Sequence, residues 1–235
     1  MPHLSRFSRR DLLRTALVAG ATLALPIRAH AGTCSSTAAQ EEGPFYMNSY
    51  DRTAPIANQT DLTRLPGASR SADGEVIHVA GRVLDQKCQP VKGMLVEIWQ
   101  ACVTGRYAHV LDPNPAPADP HFRYFGQMMT GEDGTYTFKT IKPGSYPVGP
   151  FERPPHIHFK ITGGFYPVLV TQMYFAGEAL NAKDPLINTL PKAEQQRLII
   201  EPARRPGSSE ENLFTFDVAL GSFELPSGAA MPRRG

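Results

Sequence analysis

The sequence predicts an all-β protein: a single β-sandwich domain with an N-terminal arm and one minor helical region. Three observations carry this. Short apolar, β-branched runs recur from Glu75 onward, with Gly, Pro and Asp turn signals between them. Only Asp184 to Ile199 looks helical, and Pro191 interrupts it. The 235 residues carry an ordinary hydrophobic fraction of 41%, which suits one domain with a sizeable core.

The first stretch reads as an export signal. Ser8-Arg9-Arg10-Asp11-Leu12-Leu13-Arg14 is a twin-arginine segment, Thr15 to Leu25 a short apolar run, and Ala29-His30-Ala31 a small-X-small cleavage site. The run is too short for a membrane span, which needs about 20 residues. Residues 1–31 are therefore expected to be removed, leaving a periplasmic protein. A twin-arginine address carries folded cargo, often with its cofactor inside. Residues 32–74 read as a leader and an extended arm, with Ile56, Leu62 and Leu65 needing cover. Residues 75–235 form the predicted sandwich.

Within it, Val76 to Leu84 and Met94 to Gln100 are strands joined by a turn region with Pro90 and Gly93. A long proline-rich loop follows Thr104, and such a loop in a compact domain is usually functional. Tyr124 to Thr130 and Thr135 to Thr140 are strands, with Gly131-Glu132-Asp133-Gly134 read as a hairpin turn between them. Lys142 to Pro155 is a Gly/Pro-rich loop. His156 to Thr162 and Val168 to Phe175 are strands, and Asn212 to Leu220 closes the chain with alternating apolar residues. No internal repeat is visible.

The formal charge is +2, but residues 1–31 hold five arginines against one acid, net +4. The remainder carries 2 − 4 = −2, so nothing suggests a nucleic-acid partner. Cys34, Cys88 and Cys102 match no zinc spacing, and their odd number allows at most one bridge within the chain, with the pairing open.

His156-Ile157-His158 opens a strand, so both imidazoles point to one face, as a β protein offers two ligands to one metal. The bland alternative is a surface pair. Tyr107 and Tyr146, both in Gly/Pro-rich loops, add two hard oxygen donors once ionised. A phenol with a free pKa of about 10 ionises only on a strongly Lewis-acidic ion. Two phenolates with two imidazoles suit Fe(III) better than Zn(II), and no carboxylate flanks the histidine pair for a two-His-one-carboxylate Fe(II) site.

Gly105-Arg106-Tyr107, Thr140 to Pro147 and Arg153-Pro154-Pro155-His156-Ile157-His158-Phe159 together resemble the intradiol ring-cleavage dioxygenases. Within that family the likeness is greatest to the iron-bearing β subunits of the protocatechuate-cleaving members. Gly81 to Asp85, Val96 to Ala101 and Thr171 to Phe175 extend it, from about Glu75 to Gly221.

The resemblance implies one non-haem Fe(III) per chain, held equatorially by Tyr107 and His156 and axially by Tyr146 and His158. It implies that Tyr146 also takes a substrate proton, that Arg153 stabilises charge developing on the ring, and that Gln172 holds Arg153 or the substrate. The substrates implied are O2 and a small aromatic diol (catechol, protocatechuate or a substituted catechol), and the product a cis,cis-muconate. Gly43-Pro44-Phe45 corresponds to a segment that a partner subunit lends in the family, so this chain is expected to be self-sufficient and homo-oligomeric. Val148 and Gly149 stand where those β subunits carry tryptophan and arginine, which widens the expected pocket. Arg123 and Arg106 are the candidates to meet a substrate carboxylate. The competing readings are a non-catalytic β-sandwich binding module or partner subunit, which has no use for all four ligands, and a cupin-like Fe(II) enzyme, which leaves both tyrosines idle.

Overall fold

The computed structural model describes residues 33–46 and 58–222. The twin-arginine segment and Ile56 lie outside these residues. The described part is a sandwich of two five-stranded sheets. One sheet is built on β1 (Val76–Leu84), which pairs antiparallel with β4 (Thr135–Ile141) and parallel with the short β11 (Leu213–Thr215) and β12 (Val218–Ala219). The edge strand β10 (Pro202–Ala203) joins β11. The other sheet runs in the order β3 (Phe125–Met129), β2 (Leu95–Trp99), β7 (His156–Thr162), β8 (Leu169–Phe175), β9 (Ile199–Ile200).

Period-two alternation decides what each face meets. On β7, Ile157, Phe159 and Ile161 enter the core, where they join Ile77, Val79 and Phe138 of the opposite sheet. His156 and His158 therefore point out of the sandwich, away from that core. Cross-strand register then sets Trp99, His158 and Gln172 side by side, and His156 beside Tyr174. These outward residues are nevertheless buried. A strap, residues 33–46, lies over them. Its backbone bonds run from Gln40 N to the Val170 carbonyl and from Thr37 N to the Ala219 carbonyl, each 2.8 Å. A Cys34–Cys88 disulfide ties its start to the turn after β1, leaving Cys102 as a buried thiol.

Several sequence expectations are corrected. The turn at Gly131–Gly134 makes no hairpin: β3 pairs with β2 and β4 with β1, so the chain crosses from one sheet to the other there. The stretch before His156 is not a plain loop. It folds as a small hairpin, β5 (Tyr146–Val148) and β6 (Phe151–Arg153), which pairs Tyr146 with Arg153. Gly149 and Pro150 form its two-residue turn, with Gly149 at φ +56°. Proline cannot take a positive φ, so this suits a type II′ turn, with glycine first. Asp184–Ile199 contains a single α-helix, α1 (Lys192–Leu198), preceded by a 3₁₀ turn at Ile187–Thr189. Pro191 starts α1 rather than breaking it, as a residue whose own N–H is not needed there can. The alternating stretch Asn212–Leu220 yields the two short strands β11 and β12. Leu62 is buried, whereas Leu65 is exposed. Among the described residues no helix is long and apolar enough to cross a membrane.

Candidate metal centre

Three elements bring four side chains together. β7 supplies His156 and His158. The base of the hairpin supplies Tyr146. The proline-rich loop supplies Tyr107, and it is drawn inward because Gly105 packs against the Ser145 carbonyl, where any Cβ would collide. Gly105 also holds φ +77°, so glycine is needed there twice over. Asp112 staples this loop, accepting from Tyr107 N at 2.6 Å and Asn114 N at 2.8 Å.

The donor atoms converge. Tyr146 Oη lies 3.2 Å from His156 Nε2, which lies 3.2 Å from His158 Nε2. Two ligands about 2.1 Å from one ion and at right angles to it stand about 3.0 Å apart, so these edges match a shared ion. The Pro154 carbonyl, 2.7 Å from His156 Nδ1, accepts that N–H and leaves the Nε2 lone pair facing the other donors. His158 is held flat against Trp99, rings 4.7 Å apart and 9° from parallel. The Tyr107 ring meets Tyr146 edge-on at 5.4 Å. Its buried hydroxyl has no regular hydrogen bond among the described residues, and the Tyr146 phenol is the polar group that acts on it most strongly.

Without an ion, all four groups are held neutral. Burial, reinforced by the Tyr146 phenol, lifts the Tyr107 pKa well above its usual value. Burial raises Tyr146 too, and the Arg153 charge opposes it. Burial, then the same guanidinium, pushes His156 well down and His158 down to about 3. Two phenols and two imidazoles, close-packed with an orphaned hydroxyl, are a costly core unless a cation reverses the preference of the phenols. The residues present therefore fit a hard trivalent ion such as Fe(III).

Arg153 is buried in a polar cluster, not on the surface. Nε donates to Asp184 Oδ2 at 2.9 Å, and Nη2 donates to Gln172 Oε1 at 2.7 Å and to the Tyr174 hydroxyl at 3.1 Å. Gln172 Nε2 donates to the Glu41 carbonyl at 3.1 Å, and the Tyr174 hydroxyl lies 2.8 Å from Gln40 Oε1. The strap thus orients the residue that orients Arg153. Gly43, Pro44, Phe45, Val148 and Gly149 all line one cleft of about 340 Å³, together with Tyr146, Arg153, His158 and Gln172. Arg106 is engaged by Asp112 and the Asn114 carbonyl, and neither it nor Arg123 lines this cleft.

Sequence reasoning missed Tyr174, Asp184 and Trp99. Tyr174 could have been found, since it stands two residues from Gln172 on a predicted strand and shares its face. Asp184 has no local signal, because only the tertiary fold brings it to Arg153.

A family model described as Dioxygenase matches residues 41–222. The chain is 48% identical over 143 residues to a protocatechuate 3,4-dioxygenase beta chain from Burkholderia cepacia, covering 59% of this chain and 61% of that one. It is 32% identical over 149 residues to a hydroxyquinol 1,2-dioxygenase from Rhizobium, covering 56% and 45%. The chain thus spans about half to three-fifths of the length of these curated relatives. Among solved structures, the dioxygenase domain of a dioxygenase carbohydrate-binding fusion from Streptomyces sp. SirexAA-E superposes with a TM-score of 0.57 at 31% identity, covering 79% of this chain and 98% of that one.

Proposed function

This chain belongs to the intradiol dioxygenase family, and on that premise we propose that it uses one non-haem Fe(III) to open a catechol ring with O2. Catechol plus O2 gives a cis,cis-muconate, both oxygen atoms being incorporated without an external reductant. The observation that carries this reading is the convergence of Tyr146 Oη and the two imidazole Nε2 atoms on one point beside the orphaned Tyr107 hydroxyl.

Tyr107, Tyr146, His156 and His158 would hold the metal. When bound, Fe(III) supplies the Lewis acidity that ionises the phenols and draws electron density from a chelated diol, so that the ring carbon becomes open to O2. The remaining work falls to the chain. Tyr146 lies on the cleft wall, placed to accept a proton from the diol. Arg153, fixed by Asp184 and Gln172, sets a preorganised positive charge beside the ring. Phe45, 4.7 Å from the Tyr107 ring, helps exclude water from that ligand.

The test is colour and metal content. Purified protein should carry one iron per chain and a red-brown tyrosinate-to-Fe(III) band that chelation abolishes. A colourless, iron-loaded protein active on catechol would indicate Fe(II) chemistry instead. The export route is part of the same reading, motivated by the ordered n-region, apolar run and cleavage site. Secreted protein should begin at or near Gly32, and an intact N-terminus would refute it. Homo-oligomer formation, motivated by the chain carrying its own Gly43-Pro44-Phe45, is checked by sedimentation, and a monomer would refute it.

A further inference from the structure

Among the described residues, the mouth of the cleft is apolar and uncovered. Leu111 is 67%, Phe151 51% and Val148 45% exposed, and all three line the cleft; Val110, next to Leu111 in the chain, is 95% exposed. Charge on the wall is already balanced. Arg153 is the single cation among the lining residues, and Asp184 and Gln172 occupy it. Glu41, also on the wall, adds a negative charge. A substrate carboxylate entering here would lose water and find no unpaired cation, which is unfavourable. An apolar arm would cover the exposed rim and gain by burial.

We propose that this site selects catechols bearing an uncharged apolar ring substituent, an alkyl or aryl arm lying along Leu111, Val148 and Phe151, and disfavours a ring carboxylate. The proposal rests on the ring-cleaving reading above and adds the substrate class.

The experiment compares 4-n-butylcatechol, catechol and protocatechuate on the iron-loaded protein. Burial gains of a few methylenes on a half-exposed rim predict a kcat/KM for butylcatechol about tenfold or more above that for protocatechuate. Val148→Lys, at an exposed hairpin position, should move that ratio about tenfold toward protocatechuate. Binding is read separately under anaerobic conditions from the fluorescence of Trp99, the chain's only tryptophan, which stacks on His158. There the butyl ligand should again bind more tightly. A ratio favouring protocatechuate in either measurement, or one that Val148→Lys leaves unmoved, overturns the proposal. If none of the three diols is cleaved, the ring-cleaving reading fails instead.

Discussion

The strap over residues 33–46 and the hairpin over residues 146–153 both border the cleft, yet they are fastened in different ways. The strap is held along its length. Beyond its backbone bonds, Lys160 pairs with Glu42 at 2.7 Å and lies over the Tyr46 ring at 4.0 Å, and the disulfide anchors its start. The hairpin is held only at its base, where Tyr146 and Arg153 are buried, while Val148, Gly149 and Phe151 at its tip stand in solvent. On the proposed reading, chemistry therefore sits where the hairpin is anchored, and substrate contact where it is free. The strap lines the cleft with Gly43, Pro44 and Phe45 and aligns Arg153 through Gln172 and Tyr174.

The largest expected effect tests the hairpin base. Tyr146→Phe keeps the ring and removes the phenol oxygen. The protein should still fold and bind iron through Tyr107, His156 and His158, with a shifted charge-transfer band. Turnover should fall by about 10²–10⁴-fold, the usual size of a general acid–base contribution. An unshifted spectrum would show that Tyr146 is not a ligand.

Arg153→Ala, its cross-strand partner, should leave the resting colour almost unchanged while turnover falls roughly 10²–10³-fold, as for one preorganised electrostatic stabiliser. It also leaves the fully buried Asp184 without a cation, although Leu186 N still donates to its Oδ1 at 2.6 Å. Orphaning a buried charge costs about 3–5 kcal/mol, so thermal stability should drop as well. Adding Asp184→Asn should recover part of that stability and none of the turnover. Recovery of both would make Arg153 a structural residue, and the contrast between base and tip would collapse.

For the strap, Cys34→Ser should destabilise the protein by about 2–4 kcal/mol, the typical worth of a disulfide. Turnover of the folded enzyme should fall less than in either hairpin-base variant, since the hydrogen bonds from Gln40 and Thr37 remain. A loss as large as that of Tyr146→Phe would mean that the strap takes part in the chemistry.

The smallest effect belongs to the tip. Gly149→Ala puts a Cβ into open space but into a left-handed conformation, which costs about 1–2 kcal/mol. Substrate preference should move, and the iron band should not. Denaturation curves together with the butylcatechol-to-protocatechuate ratio would check both.

The sequence made the strands and the clustering of four side chains legible, because period-two patterning and His-X-His act over a few residues. Val76–Leu84 appears as predicted, and Tyr107, Tyr146, His156 and His158 do converge. Partnerships were not legible. Glycine and aspartate at 131–134 announce a turn, but which sheet the next strand joins is settled by packing of the whole core. The hairpin at 146–153 was hidden by its prolines, which on an edge ribbon do no harm to pairing. The disulfide was invisible for a related reason: with three cysteines, only the fold brings Cys34 and Cys88 to a Cα separation of 5.2 Å.

The two-residue turn at Gly149–Pro150 has a consequence for how such an enzyme diversifies. Side chains on a ribbon alternate faces, so inserting residues in pairs on each arm lengthens the tip without inverting Tyr146 or Arg153 at the base. Growth of this kind lands in solvent and leaves the core undisturbed. A lineage can therefore lengthen, shorten or recolour the rim in steps that leave Tyr146 and Arg153 in place, changing what the cleft admits while its buried base is inherited intact.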